Sequence, residues 1–482
     1  MSGRLTGPGQ ELPWPSRHVV VTGLGVSGKA VAIALAGLGV ADLQVVDAGT
    51  SERHQQAAAA LREVGVRVSL GEAASRELPA GTDLVITSPG WRPDQPLLRA
   101  AAGRGVPVWG DVELAWRLRP AGQQWLALTG TNGKTTTVRM LEAMLLADGR
   151  RALAAGNVGT SLVATVLEPT PYDVLAVELS SFELHWAHTL APLAGAVLNL
   201  APDHIDWHGS MDAYGAAKGK LLRWAQAAAV YNVEDAATEA LLPRTGADGA
   251  RAVGFTRGVP GAGMLGVEQG VLLDRAFGPS ASEPVELAAV ADITPAAPHN
   301  VANALAAAAL ARAAGVGADA VRDGLRSFRP GAHRIAHVAT IDGVGFVDDS
   351  KATNPHAAAA SLAAYDSVVW IAGGLAKGAT FDDLVARAGT ALRAVVLLGR
   401  DRDVIRAALA RHAPDVPVVE VTRTDTGAMD DVVRLAADRA RPGDTVLLAP
   451  ACASMDMFIS YAHRGDLFAE ATHRLESERL AP

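Results

Sequence analysis

The chain has 482 residues, 49% hydrophobic and 20% charged, enough for two to four domains that each bury a core. Its formal net charge of −8 argues against the basic surface that nucleic acids or acidic lipids need. A single cysteine, Cys452, excludes a disulfide scaffold and a multi-cysteine zinc or iron–sulfur centre.

The opening MSGRLTGPGQELPWPSRH lacks the apolar core of a signal peptide. No apolar run reaches the ~18 residues of a membrane span. The expectation is a soluble, cytoplasmic protein with no membrane insertion. Of 43 basic residues only six are lysine: Lys29, Lys134, Lys218, Lys220, Lys351 and Lys377. A GC-rich genome nearly accounts for that scarcity. A retained lysine still points to positions where arginine, which cannot lose its proton and has another shape, fails.

Up to about residue 110, strand-like and helix-like segments alternate. Arg17–Thr22 (RHVVVT) predicts a buried strand, a glycine loop follows, and Ala30–Leu38 suits a helix. Leu43–Asp47, Val66–Leu70 and Asp83–Ser88 predict further strands, so the rhythm implies a parallel, doubly wound sheet. Arg119–Gln124 reads as a linker. A second α/β unit opens with the strand Trp125–Thr129 and continues through Val174–Glu178, Gly195–Leu200 and Ala229–Asn232. An alanine-rich helix, His299–Ala314, lies near its end, and Phe328–Ala332 breaks the pattern. A third set of strands follows: Gly345–Asp348, Ser367–Ala372, Arg393–Leu398, Val416–Val421 and Thr445–Ala449. Three α/β domains are expected, over 1–113, 114–330 and 331–482.

The strongest local motif is Gly130-Thr131-Asn132-Gly133-Lys134-Thr135-Thr136, between an apolar strand and a helical stretch, Thr137–Leu146. Such a loop aims backbone N–H groups at phosphate, Lys134 reaches the β/γ-phosphates, and the Thr135 hydroxyl binds Mg²⁺. Gly130 stands only three residues before Gly133, so the loop is a shortened variant of the GxxxxGK[ST] pattern.

Gly23-x-Gly25-x-x-Gly28 follows the first strand, and Asp47 ends the next one, as in a dinucleotide fingerprint. A tight ligand-free turn is the plain alternative, Lys29 is most simply solvated, and which nucleotide binds is not readable. Glu178 ends a buried strand near the phosphate loop, where a Mg²⁺ ligand is expected; a helix N-cap region is the other reading. In Asp203-His204-Ile205-Asp206-Trp207-His208, a zinc reading would use His204, Asp206 and His208, and a loop histidine is the bland one. Lys218, in AAKGK, reads on its own as a surface helix lysine. Asn300 and Asn303 share a helical face and either bind a base or cap the helix. Asp348–Pro355 (DDSKATNP), Gly373–Gly378 (GGLAKG) and Ala449–Ser454 (APACAS) all follow strands, at the sheet edge where open α/β folds bind ligands.

GTNGKTT, ELSSFEL, NLAPDHIDWHGS, AAK, PHNVANALAA, HR, DDSKATNP, GGLAKG and APACAS occur in this order over nearly the whole chain. As a set they resemble the Mur ligases of peptidoglycan synthesis, and DSKATN resembles the branch that adds D-glutamate. The resemblance implies a Rossmann-like first domain, a P-loop ATPase-like second and a Rossmann-like third. The implied reaction joins D-glutamate to UDP-N-acetylmuramoyl-L-alanine, with ATP and two Mg²⁺ ions, through an acyl phosphate. The implied enzyme is a cytoplasmic monomer that engages no nucleic acid.

Residue by residue, the resemblance assigns the UDP-substrate to Gly25, Val26, Ser27, Asp47 and Asn157. It assigns ATP to the loop Gly130–Thr136, to Asn300 and Arg334, and to Asp349 at the ribose. Thr135, Glu178 and His204 become magnesium ligands. Lys218 becomes the lysine that takes up CO₂ as a carbamate facing magnesium, which reverses its bland reading. Lys351, Thr353, Lys377 and Ser454 hold D-glutamate, two cations meeting two carboxylates. With ATP and D-glutamate on different domains, closure of the third domain is expected. Ala48-Gly49 after Asp47 departs from the polar or basic residues usual there, and Ala449 stands in place of a common serine. Folylpolyglutamate synthase, a nicotinamide dehydrogenase and a non-enzymatic P-loop switch are the rival readings.

Overall fold

The computed structural model describes residues 14–243, 250–278 and 283–480, so most of the stretch read for a leader lies outside the described residues. The chain divides into two compact units, Met1–Leu200 with Trp207–Phe328, and Ala201–Asp206 with Arg329–Pro482. Among the described residues no helix is long and apolar enough to cross a membrane.

The first unit holds two sheets. The first sheet comprises β1 (His18–Thr22), β2 (Asp42–Asp47), β3 (Arg67–Leu70), β4 (Leu84–Thr87) and β5 (Val108–Gly110), ordered β3-β2-β1-β4-β5. All four pairings are parallel, as the alternating pattern predicts. Val19 and Val21 of β1 join one apolar cluster and Val20 joins another, so the strand buries both faces. The order reverses between β1 and β4, which puts the glycine loop after β1 at the switch point. Helix α1 (Val26–Gly37) starts earlier than expected, directly on that loop, and α2 (Glu52–Glu63) follows β2. Helix α3 (Asp111–Leu118) leads out of β5, a strand of three residues that the sequence reading missed.

The second sheet contains β6 (Gln124–Thr129), β7 (Ala152–Gly156), β8 (Val174–Glu178), β9 (Ala194–Val197), β10 (Ala228–Asn232), β11 (Arg251–Phe255), β12 (Met264–Glu268), β13 (Val271–Asp274) and β14 (Val285–Ala289). Its order is β14-β13-β12-β11-β10-β9-β6-β8-β7. The strands from β7 to β12 run parallel, and β12-β13-β14 form an antiparallel meander with no counterpart in the sequence reading. The helices that matter here are α4 (Lys134–Ala147), α5 (Ser181–His185), α6 (Met211–Trp224), α7 (Pro298–Ala313) and α8 (Ala318–Ser327). The α7 alanines from Ala304 to Ala309 are fully buried, so α7 is a central core helix.

The second unit holds β15 (Ala336–Ile341), β16 (Val344–Asp348), β17 (Val368–Gly373), β18 (Leu392–Leu398), β19 (Val418–Glu420) and β20 (Thr445–Leu448), ordered β15-β16-β20-β17-β18-β19. The strand before DDSKATNP is therefore the second of its sheet, since the antiparallel hairpin strand β15 precedes it. Its half-exposed, alternating side chains gave no continuous apolar run to recognise. The loops after β16, β20 and β17 leave neighbouring parallel strands side by side. Helix α9 (Tyr461–Leu480) closes the described chain.

Candidate functional site

The phosphate loop is a strand-to-helix turn from β6 into α4. Gly133 is its N-cap in the left-handed region (φ 80), and a Cβ there would stand 2.3 Å from Asn303 Oδ1. Glycine is thus required twice, by conformation and by contact. Asn303 is held in turn: its Nδ2 donates to Asn300 Oδ1 (3.3 Å), and Asn300 Nδ2 donates to Pro295 O (3.1 Å). The two α7 asparagines, both buried, brace the loop rather than cap the helix. Lys134 Nζ donates to Gly130 O and Thr131 O at 2.9 and 2.8 Å, which keeps the ammonium over the loop.

Lys218 is the clearest correction to the residue-only reading. It is 2% exposed on α6, far from a surface lysine. Its Nζ donates to Gly130 O (2.9 Å) and Thr129 Oγ1 (3.2 Å) and sits 4.7 Å from the Tyr214 ring centroid. Tyr214 Oη in turn pairs with Thr131 Oγ1 at 3.0 Å. Helix α6 therefore carries a buried amine and a phenol onto the phosphate loop.

Glu178 ends β8 in register with Leu128, the residue before the last of β6. It is 2% exposed; Oε1 accepts from Asn157 Nδ2 (3.0 Å), and Oε2 is buried with no hydrogen-bond partner among the described residues. The helix N-cap is Ser180, which forms a capping box with Glu183, so Glu178 is not spent on capping. A buried, uncompensated carboxylate oxygen is costly, and a divalent cation is the partner its hardness fits. Glu183 lies nearby, lifted to about 8 by burial and by the charges of Asp111 and Glu178.

Glycine sterics also build the first-sheet loop. A Cβ on Gly28 would stand 1.9 Å from Gly23 O, and Gly23 has φ 92 with Ser88 Oγ at 2.6 Å from its hypothetical Cβ. Gly25 has nothing within 4 Å, so no internal contact requires glycine there. Asp47 accepts from Leu24 N (2.6 Å) and Gly49 N (2.7 Å), tying the loop to the end of β2. Ser27 hydrogen-bonds the buried Asp111, and Val26 is 76% exposed. Ser88 Oγ, buried at the end of β4 without a partner among the described residues, is a polar group the sequence reading overlooked.

In the second unit the three loops after β16, β17 and β20 hold Asp349, Lys351, Thr353, Lys377 and Ser454. Asp349 accepts from Ser361 Oγ, and burial lifts its carboxyl to about 6 against the lowering pull of Ser361 and Arg334. Lys351 Nζ lies 3.8 Å from the Tyr461 ring centroid. Lys377 is exposed with φ 52, and Ser454 is buried. His204, with φ 54, lies in the segment that belongs to this unit, and its amide is capped by Asp203 Oδ1 at 2.9 Å. The zinc reading of His204, Asp206 and His208 does not hold: no group of three His, Cys, Asp or Glu suited to a metal occurs among the described residues. His208 Nε2 instead pairs with Ser181 Oγ (2.9 Å), and its ring stacks on Phe182.

Arg464 of α9 was not singled out by its sequence. It is fully buried, its Nε and Nη2 donate to Ser350 Oγ and Ser350 O (both 2.9 Å), and its Nη1 donates to Cys452 O (3.2 Å). One guanidinium thus fastens the DDSKATNP loop to the APACAS loop. The lone Cys452 is pushed up to about 12 by burial, which leaves it a packing group.

Three family sequence models match the chain: the Mur ligase MurD-like N-terminal domain over 17–110, the Mur ligase middle domain over 128–311, and the Mur ligase glutamate ligase domain over 333–452. The UDP-N-acetylmuramoylalanine–D-glutamate ligase of Streptomyces avermitilis is 61% identical over 465 residues, covering 96% of this chain and 99% of that protein. The ligase of the same name from Thermobifida fusca is 62% identical over 462 residues, covering 95% and 98%. Among solved structures, the UDP-N-acetylmuramate–alanine ligase of Thermotoga maritima shares the fold, with a TM-score of 0.56 at 20% identity over 95% of this chain and 99% of that one. With relatives this similar along almost its entire length, the chain belongs to the Mur ligase family, within its UDP-N-acetylmuramoylalanine–D-glutamate ligase branch.

Proposed function

We propose that the chain is an ATP-dependent ligase that forms the amide bond between D-glutamate and UDP-N-acetylmuramoyl-L-alanine, a step of peptidoglycan precursor synthesis. The observation that carries this reading is the cluster on the second sheet. A phosphate loop, a buried amine on its carbonyls and a buried carboxylate with one unpartnered oxygen meet at the ends of β6 and β8. The domains are drawn at 1–113 for the UDP-substrate, 114–330 for ATP and 331–482 for D-glutamate.

In this reading the alanyl carboxylate attacks the γ-phosphate, giving an acyl phosphate and ADP. The D-glutamate amine then attacks the acyl carbon and phosphate leaves. Gly130–Thr136 cradle the phosphates, and Lys134 screens their charge as the bond breaks. Thr135, Glu178 and His204 would each ligate magnesium, and Asn157 would orient Glu178 while meeting the muramoyl group. An ion held there would supply positive charge that offsets the charge of the phosphates. Lys218 would carry the carbamate: its amine must be neutral to take up CO₂, and it lies buried against the phosphate loop at Gly130 O. Asn300, Arg334 and Asp349 would hold the nucleotide. Gly25, Val26, Ser27 and Asp47 would hold the UDP end. Lys351, Thr353, Lys377 and Ser454 would hold D-glutamate. The enzyme works as a cytoplasmic monomer.

The test is ADP release. Purified protein with ATP, Mg²⁺ and UDP-N-acetylmuramoyl-L-alanine should release ADP steadily only when D-glutamate is added, and not with L-glutamate. Equal turnover with a folate acceptor and L-glutamate, or hydrolysis indifferent to any amino acid, would overturn the reading.

A further inference from the structure

The left-handed glycine that shapes the phosphate loop also leaves it a freedom. Gly133 accepts either sign of φ, so the peptide that joins Asn132 to Gly133 can turn over at little steric cost. Turned over, that peptide presents a carbonyl oxygen where an anion needs an N–H. A loop that meets phosphate without reorganising needs this peptide fixed beforehand. Asn199, half-buried two residues beyond the end of β9, is placed to fix it.

The Asn199 side chain pairs with both backbone groups of Asn132. Its Oδ1 accepts from Asn132 N (2.8 Å), and its Nδ2 donates to Asn132 O (3.1 Å). Its own carbonyl accepts from Thr131 N (3.1 Å). In a planar trans peptide the N–H and C=O point in opposite directions. Holding Asn132 O toward Asn199 therefore turns the Gly133 N–H to the other face of the loop. Holding Asn132 N likewise turns Thr131 O away, and Thr131 O receives Lys134 Nζ at 2.8 Å. One side chain thus sets the two peptides beside Asn132: the amide just before α4 and the carbonyl that seats the lysine.

Asn199 is itself held from behind. Leu198 N donates to Thr129 O (2.9 Å), Leu198 O accepts from Asn232 Nδ2 (3.0 Å), and Leu200 N donates to Asp235 Oδ2 (2.7 Å). A Cβ on Gly130 would stand 3.0 Å from Leu198 Cβ, so the loop also packs closely on this segment. We infer that Asn199 is a positioning residue that locks the Asn132–Gly133 peptide, so that the loop meets the phosphates of ATP already formed. The lock rests on the ATP binding proposed above and places the loop's preorganisation in a side chain outside it. It requires no contact between Asn199 and the nucleotide.

Calorimetry, steady-state kinetics and amide hydrogen exchange on the full-length protein test the lock, with Asn199→Ala and Asn199→Asp. Asn199→Ala should weaken ADP and ATP binding and raise KM for ATP about tenfold, the scale of one lost hydrogen-bonding contact. KM for the UDP-substrate and for D-glutamate should stay unchanged. Without nucleotide, the amides from Gly133 to Thr136 should exchange faster in the variant than in wild type, and saturating ADP should restore them. Asn199→Asp has nearly the same shape and keeps the bond to Asn132 N, so it serves even where the alanine variant fails to fold. It loses the donor to Asn132 O, and ATP binding should weaken at least as much. Unchanged ATP and ADP affinity in both variants, an equal rise in KM for all three substrates, or weaker binding with wild-type exchange at Gly133–Thr136 would each overturn the lock while the ligase reading stands. A wild-type protein that binds neither ATP nor ADP would overturn the ligase reading and the lock with it.

Discussion

At the residue scale, the six lysines show how an ammonium differs from a guanidinium. Lys134, Lys218 and Lys220 each point a compact, three-donor group at backbone carbonyls; Lys220 reaches Leu184 O, His185 O and Ala187 O at 2.8 to 3.3 Å. A planar fork would not converge on three such oxygens. The sequence held lysine at these places, yet the burial of Lys218 was illegible, because AAKGK has the composition of a solvent-facing helix turn. If Lys218 carries a carbamate, Lys218→Ala loses activity by about a thousandfold or more, on the scale of removing a charge that positions catalytic groups. A short carboxylate such as acetate or formate then restores a measurable part. Loss without any rescue, in a variant that folds normally, argues for a purely structural amine. Asp349 makes a second residue-scale prediction. Burial lifts its carboxyl from an ordinary 3.8 to about 6, so the folded state holds a proton that the unfolded chain releases. Its contribution is therefore fully present below pH 4 and is lost as pH rises through 6, at a cost on the order of 1–3 kcal/mol. Asp349→Asn should gain that much on wild type between pH 4 and pH 7 in urea unfolding. A constant offset between the two proteins across that range would refute it.

At the element scale, the central strands buried on both faces are legible as apolar runs, and the half-exposed edge strands β3 and β19 are legible too. VLAVE, covering β8, was read to the residue, and RHVVVT and WLALT to within one residue of β1 and β6, because unbroken apolar runs mark parallel central strands. The meander β12–β14 was invisible: it is short, interrupted by glycine, and half-exposed, so neither period of two nor apolar run survives. Helix α9 was equally silent in its role, since a fully buried arginine in a helix of mostly polar residues looks like surface. Arg464 joins two loops through backbone and hydroxyl oxygens rather than through a carboxylate, and burial draws it down to about 10. Arg464→Met keeps the aliphatic stem and removes all three bonds, leaving the Ser350 and Cys452 carbonyls buried without partners. The expected cost is about 3 kcal/mol of stability in the second unit, read by urea unfolding. With the loops after β16 and β20 loosened, KM for D-glutamate should rise more than KM for the UDP-substrate. Equal effects on both would show that the clamp does not act through those loops.

At the scale of the whole molecule, the chain forms two compact units that each keep their own apolar clusters, and the proposed division of substrates between them should show in ligand binding. A ligand that binds only the folded state adds RT ln(1 + [L]/Kd) to the stability of the region that holds it, about 2.7 kcal/mol at a hundredfold excess over Kd. Amide hydrogen exchange resolves where that energy goes. UDP should slow exchange at the β1–α1 turn and the first turn of α2, and ATP with Mg²⁺ at the loop Gly130–Thr136 and the start of α6. D-glutamate should slow it at the loops after β16, β17 and β20, where Lys351, Lys377 and Ser454 lie. The assignment is ligand-specific, so it can fail cleanly. If D-glutamate protects the β1–α1 turn, or UDP protects the loop after β17, the substrates have been given to the wrong sheets. Protection confined to the assigned loops would show that each sheet's C-terminal edge performs one recognition task, which is what the position of these motifs at strand ends first suggested.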